Sequence, residues 1–100
     1  MIQVNLSPQA NADLEEIGDY IARDNPARAL SFIGELKVKC LGLAKAARIG
    51  APRPELGERV RMLTHGRYLI FYREHEATVR IERIMHSARD ITSDDLTFDD

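Results

Sequence analysis

Apolar and polar positions divide the chain into a strand, two helices and a group of strands. Residues 2–6 alternate between apolar and polar, which predicts a short strand with one buried face. Ser7 and Pro8 then predict a helix start, because a serine can cap free backbone N–H groups and a proline at the first position loses no hydrogen bond. The next apolar residues share one helix face: Ala10, Leu14, Ile17 and Ile21.

A second helix is predicted directly after the first. Asn25 is a candidate N-cap, Pro26 a candidate first residue, and Gly50 a candidate C-cap. Between them, apolar residues recur at helical spacing: Ala29, Ile33, Leu36, Cys40, Leu43 and Ala47. The connection between the two helices is very short, so they are expected to form an antiparallel hairpin.

Residues 59–91 predict a meander of three strands. A turn at Gly66 precedes residues 68–73, whose nearly continuous apolar character fits a central strand. The last strand, residues 78–85, changes the parity of its apolar positions, which predicts a bulge near Arg83. The fold class is therefore α+β with the order β-α-α-β-β-β: a helical hairpin packed on one face of a small, mostly antiparallel sheet. The other face is expected to stay open and available to a partner.

Size and composition fit one cytoplasmic domain. One hundred residues predict a single domain, 1–100, of which the acidic segment 91–100 is a candidate for fraying. No apolar stretch reaches the length of a membrane span, and the N-terminus has no basic region leading into an apolar one, so neither a membrane segment nor a secretion signal is predicted. Cys40 is alone, which excludes an internal disulfide and favours a packed thiol.

Charge is unevenly distributed around a net value of −2. Acidic residues cluster in the first helix and in the tail, whereas every cation after Lys45 is an arginine. These arginines are Arg48, Arg53, Arg59, Arg61, Arg67, Arg73, Arg80, Arg83 and Arg89. Arginine forks suit phosphates and carboxylates, which favours a nucleic-acid surface or an acidic protein partner. A solvated sheet face with local arginine–glutamate pairs explains the same pattern, and the sequence leaves both interpretations open.

Candidate chemistry is confined to one cationic constellation. The three histidines have no ligand spacing for a metal, and no cofactor motif is present, so neither is predicted. Arg59 and Arg61 project to one strand face, and they are predicted to form an aromatic-flanked concavity with Arg67, Tyr68 and Arg89. An RNA-cleaving site would need such cations and a group that moves a proton. Core packing of the tyrosine and surface ion pairing of the arginines are the alternative readings.

Three blocks of sequence carry a resemblance to a known family. They are LSPQANADLEEIGDYIARDNPARALSFI, GRYLIFYR and RIERIMHSARDI, in that order. Together they resemble the ParE/RelE toxin superfamily, and more closely its ParE branch. The resemblance implies a toxin of a type II toxin–antitoxin module that is neutralised by a smaller antitoxin. ParE-like members trap DNA gyrase on cleaved DNA and block replication, whereas RelE-like members are ribosome-dependent mRNA endonucleases.

The resemblance favours the branch without catalytic residues. Arg59, Arg61 and Arg89 fall near positions where RelE-like ribonucleases keep basic catalytic residues. However, Tyr68 sits where those enzymes tend to carry arginine, and no tyrosine follows Ile91. A RelE-like activity would therefore rest on Arg59, Arg61, Tyr68 and Arg89. A third reading is a binding module that has lost toxicity.

The resemblance also implies partners. A ParD-like antitoxin, acidic in part, is expected to lie along the helical hairpin and the sheet edge in a hetero-oligomer, and DNA gyrase is the expected target. Tyr20 and Phe32 are candidate anchors where they are not core. The other candidate partner-binding residues are Arg59, Arg61, Arg67, Arg83 and Arg89.

Overall fold

A computed structural model describes residues 2–96 of the chain. The strands are β1 (Gln3–Leu6), β2 (Ala51–Pro52), β3 (Val60–His65), β4 (Tyr68–His75) and β5 (Thr78–His86). The helices are α1 (Pro8–Ala22) and α2 (Pro26–Gly42), and 3-10 turns span Pro54–Leu56 and Ser93–Asp95. The predicted order is confirmed, with the two-residue β2 added between α2 and β3.

Both helix starts form as the sequence predicts. The Ser7 hydroxyl accepts a hydrogen bond from the Ala10 N–H at 3.0 Å and donates one to the Glu82 carbonyl at 2.8 Å. The Asn25 side chain accepts from the Arg28 N–H at 3.1 Å. Each cap satisfies an N–H that the helix itself leaves without an acceptor.

The predicted end of α2 is wrong, because the helix stops at Gly42 rather than near Gly50. Residues 43–49 continue as turns closed by i to i+3 backbone hydrogen bonds. A tertiary contact explains the change: the Tyr72 hydroxyl donates to the Ala47 carbonyl at 2.8 Å and accepts from the Gly50 N–H at 2.9 Å. A Cβ on Gly50 would lie 2.6 Å from the Tyr72 hydroxyl, so this glycine permits a close approach instead of capping a helix.

The strands form one sheet in the order β1-β5-β4-β3-β2. Only the β1–β5 pair is parallel, so the prediction of a mostly antiparallel sheet is confirmed. In the β4–β5 ladder Phe71 faces Arg83 whereas Tyr72 faces Ile81, which leaves Glu82 as the extra residue of a bulge. The bulge lies one residue from its predicted position and explains the change of parity along β5.

Hydrophobic side chains pack on both faces of the sheet. The helical hairpin covers the larger core, which includes Leu36, Tyr72 and Ile81. The opposite face is not open as predicted: a second buried cluster includes Leu56 of a 3-10 turn and Leu96 near the chain end. The central strand is apolar on both sides, and these two segments bury its second side. Ile91 and Leu96 of the predicted fraying tail therefore pack against the sheet, and residues 97–100 are outside the described residues.

Within residues 2–96, neither helix combines the length and the apolar composition that a bilayer-spanning helix requires.

Candidate partner-binding surfaces

The predicted cationic constellation is divided between the two ends of the sheet. Arg59 precedes β3, whose first residue faces Arg73, whereas Tyr68 begins β4 and faces His86. Arg73 lies five positions along the strand from Tyr68, which corresponds to about 17 Å. Arg59 and Arg61 therefore lie at one end of the sheet, and Arg67, Tyr68 and Arg89 at the other. The single concavity expected from the sequence does not form.

Arg59 and Arg61 border an open concavity of about 630 Å³ at the first end. The Arg59 guanidinium contacts Nδ1 of His75. Arg61 donates through Nη1 to the carbonyls of Arg48 at 3.2 Å and Gly50 at 2.7 Å. We name this feature the arginine concavity; it is lined by Arg48, Arg59, Arg61, Glu74, His75, Glu76 and Ala77.

Tyr68 belongs to an aromatic cluster at the second end. Its ring centroid lies 5.5 Å from that of Phe32 and 5.2 Å from that of His86. Burial, with a smaller effect from the nearby Tyr20, raises the pKa of Tyr68 above its ordinary value. The phenol is therefore protonated at neutral pH and poorly suited to accept a proton.

The two predicted aromatic anchors have different environments. Tyr20 is 64% exposed and borders a small concavity with Tyr68 and Arg89. Phe32 is only 7% exposed and belongs to the core, where Arg28 lies 5.0 Å above its ring. Phe32 was a candidate anchor only if it lay outside the core, so its burial removes it from the accessible surface, whereas Tyr20 stays available.

Arg83 and Arg89 are engaged within the fold. Arg83 binds both oxygens of Asp13 at 2.8 and 3.0 Å and donates to the Asp95 carbonyl at 2.8 Å. This contact with Asp13 raises the pKa of Arg83 further above its ordinary value. Arg89 binds the Asp95 carboxylate at 3.0 Å. Arg83 thus joins the segment around Asp95 to β5, Arg89 pairs with Asp95 within that segment, and Arg67 is exposed in the β3–β4 turn.

The helical hairpin, along which the sequence predicts the antitoxin, carries an apolar groove lined by none of the predicted partner-binding residues. The groove lies between α1 and α2 and encloses about 1030 Å³. Its apolar lining includes Leu14, Ala29, Leu30 and Ile33, and Leu30 is 80% exposed. Val38 and Leu41 extend the exposed apolar surface along α2: with Leu30 they form a second helical stripe beside the buried one. That second stripe is the signal in the sequence that identifies this surface.

No group of three or more His, Cys, Asp or Glu side chains in the described part of the chain is placed to hold a metal ion.

Comparisons with known proteins agree with the fold and the sequence blocks. The family model described as "ParE toxin of type II toxin-antitoxin system, parDE" matches residues 4–91. A solved structure of the chromosomal ParDE toxin–antitoxin system from P. aeruginosa is 28% identical, covering 86% of this chain and 96% of that chain with a TM-score of 0.74. The RelBE2 toxin–antitoxin complex from Mycobacterium tuberculosis is 26% identical, covering 88% and 93% with a TM-score of 0.64. No curated protein matches the chain.

Proposed function

The chain belongs to the family of ParE toxins of type II toxin–antitoxin systems, and we propose that it inhibits DNA gyrase and so blocks replication. The observation that carries the proposal is the match of the ParE family model to residues 4–91. We further propose that the toxin is one cytoplasmic domain and that a ParD-like antitoxin neutralises it in a hetero-oligomer. The similar P. aeruginosa structure is itself a ParDE system, which supports this partner.

The geometry of the sheet supports a toxin that acts by binding. A ribonuclease site of the RelE-like kind would need Arg59, Arg61, Tyr68 and Arg89 to act on one phosphate. These residues lie at two ends of the sheet, about 17 Å apart along β4. The raised pKa of Tyr68 also argues against a proton-transfer role.

A supercoiling assay tests the gyrase proposal. Purified toxin should inhibit supercoiling of a relaxed plasmid by gyrase and should cause cleaved DNA to accumulate. Toxin premixed with its antitoxin is the matched control and should leave gyrase active. Unimpaired supercoiling at a large molar excess of free toxin would refute the proposal.

The apolar groove on the hairpin is the surface that we propose for the antitoxin. An amphipathic helix would place its apolar face in this groove, whose rim carries Glu15, Asp19 and Lys37. Leu30 lines the groove, and Val38 lies on the apolar surface that extends it along α2. Both are largely exposed, so replacing them removes apolar contact area with little effect on the fold. Each substitution to serine should cost about 1.5 to 3 kcal/mol of binding free energy, which is roughly ten- to hundredfold in Kd.

Calorimetric titration of the toxin with its antitoxin measures this loss. Lys39→Ser is the matched control, because Lys39 is exposed on α2 but belongs neither to the groove nor to the apolar surface that extends it. Equal affinities for Leu30→Ser, Val38→Ser and Lys39→Ser would show that the antitoxin binds elsewhere.

A RelE-like ribosome-dependent endonuclease is the second candidate. The similarity to the RelBE2 complex favours it, as does the position of Arg59 and Arg61 on a common concavity. Expression would then produce mRNAs cut at ribosomal A-site positions, and Arg61→Ala would abolish the cuts. Intact transcripts in growth-arrested cells would exclude this activity.

A further inference from the structure

We propose that Arg48, Arg59 and Arg61 form a phosphate-binding site for the backbone of duplex DNA. The site is the arginine concavity, where β3 begins and β4 ends. The choice of DNA rests on the proposed gyrase function, whereas the site itself rests on the charges and contacts of its three arginines.

The positive charges of Arg59 and Arg61 have no carboxylate partner among residues 2–96. Arg59 contacts an imidazole nitrogen, and Arg61 contacts backbone carbonyls. Most other arginines of the meander and the following segment pair with acids: Arg73 and Arg80 with Glu82, Arg83 with Asp13, and Arg89 with Asp95. Two neighbouring arginines in one concavity therefore keep a charge that the fold does not compensate.

Both guanidinium groups are held in position and retain N–H donors for a ligand. Arg61 uses only Nη1 for its two carbonyl contacts, and a guanidinium has five N–H donors. Arg59 is positioned by His75 and by its own backbone, whose φ of 66° is unusual for a residue with a side chain. A site whose donors are held before binding loses less entropy when an anion arrives.

The acidic residues of the concavity do not cancel this charge. Glu74 lies 3.4 Å from Arg48, and Glu76 lies 3.8 Å from His75. Arg48 is 81% exposed, so its pair with Glu74 is weak and can exchange for a phosphate contact. Three arginines then face two glutamates, and the surplus lies on Arg59 and Arg61.

Backbone geometry at this place holds Arg59 in an unusual conformation. Arg59, Glu76 and Ala77 are the non-glycine residues with positive φ in the described part of the chain, and all three line the arginine concavity. Glu76 and Ala77 are the two residues of the β4–β5 hairpin turn, where positive φ is the ordinary turn conformation. Arg59 lies outside that turn, and sparsely populated backbone conformations of this kind occur at binding sites.

A phosphodiester backbone suits this arrangement better than a single carboxylate group. One carboxylate satisfies one guanidinium fork, whereas a nucleic-acid strand presents successive charges to several cations. The concavity is open and unroofed, which admits an extended polymer. The net charge of −2 gives no general attraction to DNA, so binding requires a local cluster of this kind.

Fluorescence anisotropy with a short labelled DNA duplex tests the proposal on the free toxin. Each phosphate contact contributes a slope of about −0.9 to the plot of log K against log salt concentration, so three contacts predict about −2.7. Arg48→Gln, Arg59→Gln and Arg61→Gln should each weaken binding about eightfold at about 0.1 M salt and lower the slope to about −1.8. Among residues 2–96, the guanidinium groups of Arg48 and Arg59 donate no hydrogen bond to the backbone, so their variants test the site even if Arg61→Gln impairs folding.

Arg23→Gln is the matched control. Arg23 is exposed at the end of α1 and lies outside the arginine concavity, so its loss should change affinity far less. An equal loss in Arg23→Gln would overturn the site, as would no binding of duplex by the wild type at low salt. Binding of single-stranded RNA without binding of the duplex would overturn the assignment to DNA.

The two proposals can fail separately. A toxin that poisons gyrase but does not bind duplex through these arginines refutes the phosphate site and leaves the function intact. A toxin that binds duplex through them but leaves gyrase unimpaired refutes the proposed function and leaves the site intact.

Discussion

Removing the Asp13 carboxylate should destabilise the fold at the edge of β5. The β1–β5 pairing ends at Ile81, and beyond it Asp13 accepts a hydrogen bond from the Ile84 N–H at 2.9 Å. The same carboxylate binds the Arg83 guanidinium at 2.8 and 3.0 Å. Asp13→Ala therefore leaves a buried N–H and a guanidinium without their acceptors.

The structure sets the expected size of this loss. Breaking a buried ion pair by removing one partner costs about 3 to 5 kcal/mol. Arg83 keeps 19% of its side chain exposed and still donates to the Asp95 carbonyl, so we expect the lower end, about 3 kcal/mol. This is a large part of the roughly 5 to 15 kcal/mol that stabilises an ordinary domain.

Urea unfolding followed by circular dichroism measures the change in the free energy of unfolding. Asp19→Ala is the matched control, because Asp19 is an exposed aspartate on the same helix. The double variant Asp13→Ala/Arg83→Met should recover part of the loss, since it also removes the cation that would be left unpaired. A loss below about 1 kcal/mol, or one equal to that of Asp19→Ala, would refute this account of the β5 edge.

Three further predictions concern Tyr72, Cys40 and Glu35. Tyr72→Phe removes the hydroxyl that binds Ala47 and Gly50, so urea unfolding should show a loss of about 1 to 3 kcal/mol. Burial raises the pKa of Cys40 to about 11, so a thiol reagent should label the folded chain at neutral pH only as fast as the chain opens. The Arg28 guanidinium, followed by His65, lowers the pKa of Glu35. Because the folded pKa is depressed, any stabilisation from Glu35 is present above its unfolded pKa and is lost as pH falls through the folded value. An NMR titration should therefore give a higher Glu35 midpoint in Arg28→Gln than in the wild type.

The parts of the fold that the sequence predicted correctly depend on neighbours along the chain. Ser7 and Asn25 cap the helices that start beside them, and the parity change in β5 is visible within a few residues. The end of α2 depends instead on Tyr72, which binds Ala47 from 25 positions away. The burial of the second sheet face depends on Leu56 and Leu96. Neither residue belongs to a periodic apolar pattern from which this burial could be predicted.

The candidate sites were harder to predict because arginine pairing is a tertiary property. Arg83 finds Asp13 across 70 positions, and Arg48 finds Glu74 across 26. In the sequence these arginines look equivalent, and the sequence predicts one constellation that contains Arg59, Arg61, Arg67 and Arg89. The ladder register then separates them by about 17 Å along β4.

Arg59 differs from Arg83 and Arg89 in its contacts within the fold, and this difference decides how substitutions of these arginines should be interpreted. Arg83 binds Asp13 and the Asp95 carbonyl, and Arg89 binds the Asp95 carboxylate, so a loss of toxicity on replacing either one has first to be compared with the change in stability. Arg59 contacts a largely exposed histidine, so its replacement removes a positive charge from the surface with little structural cost. Comparing toxicity with unfolding free energy across Arg59, Arg83 and Arg89 therefore separates binding from stability. If toxicity followed stability alone in all three, the uncompensated charge of Arg59 would have no part in the action of the toxin.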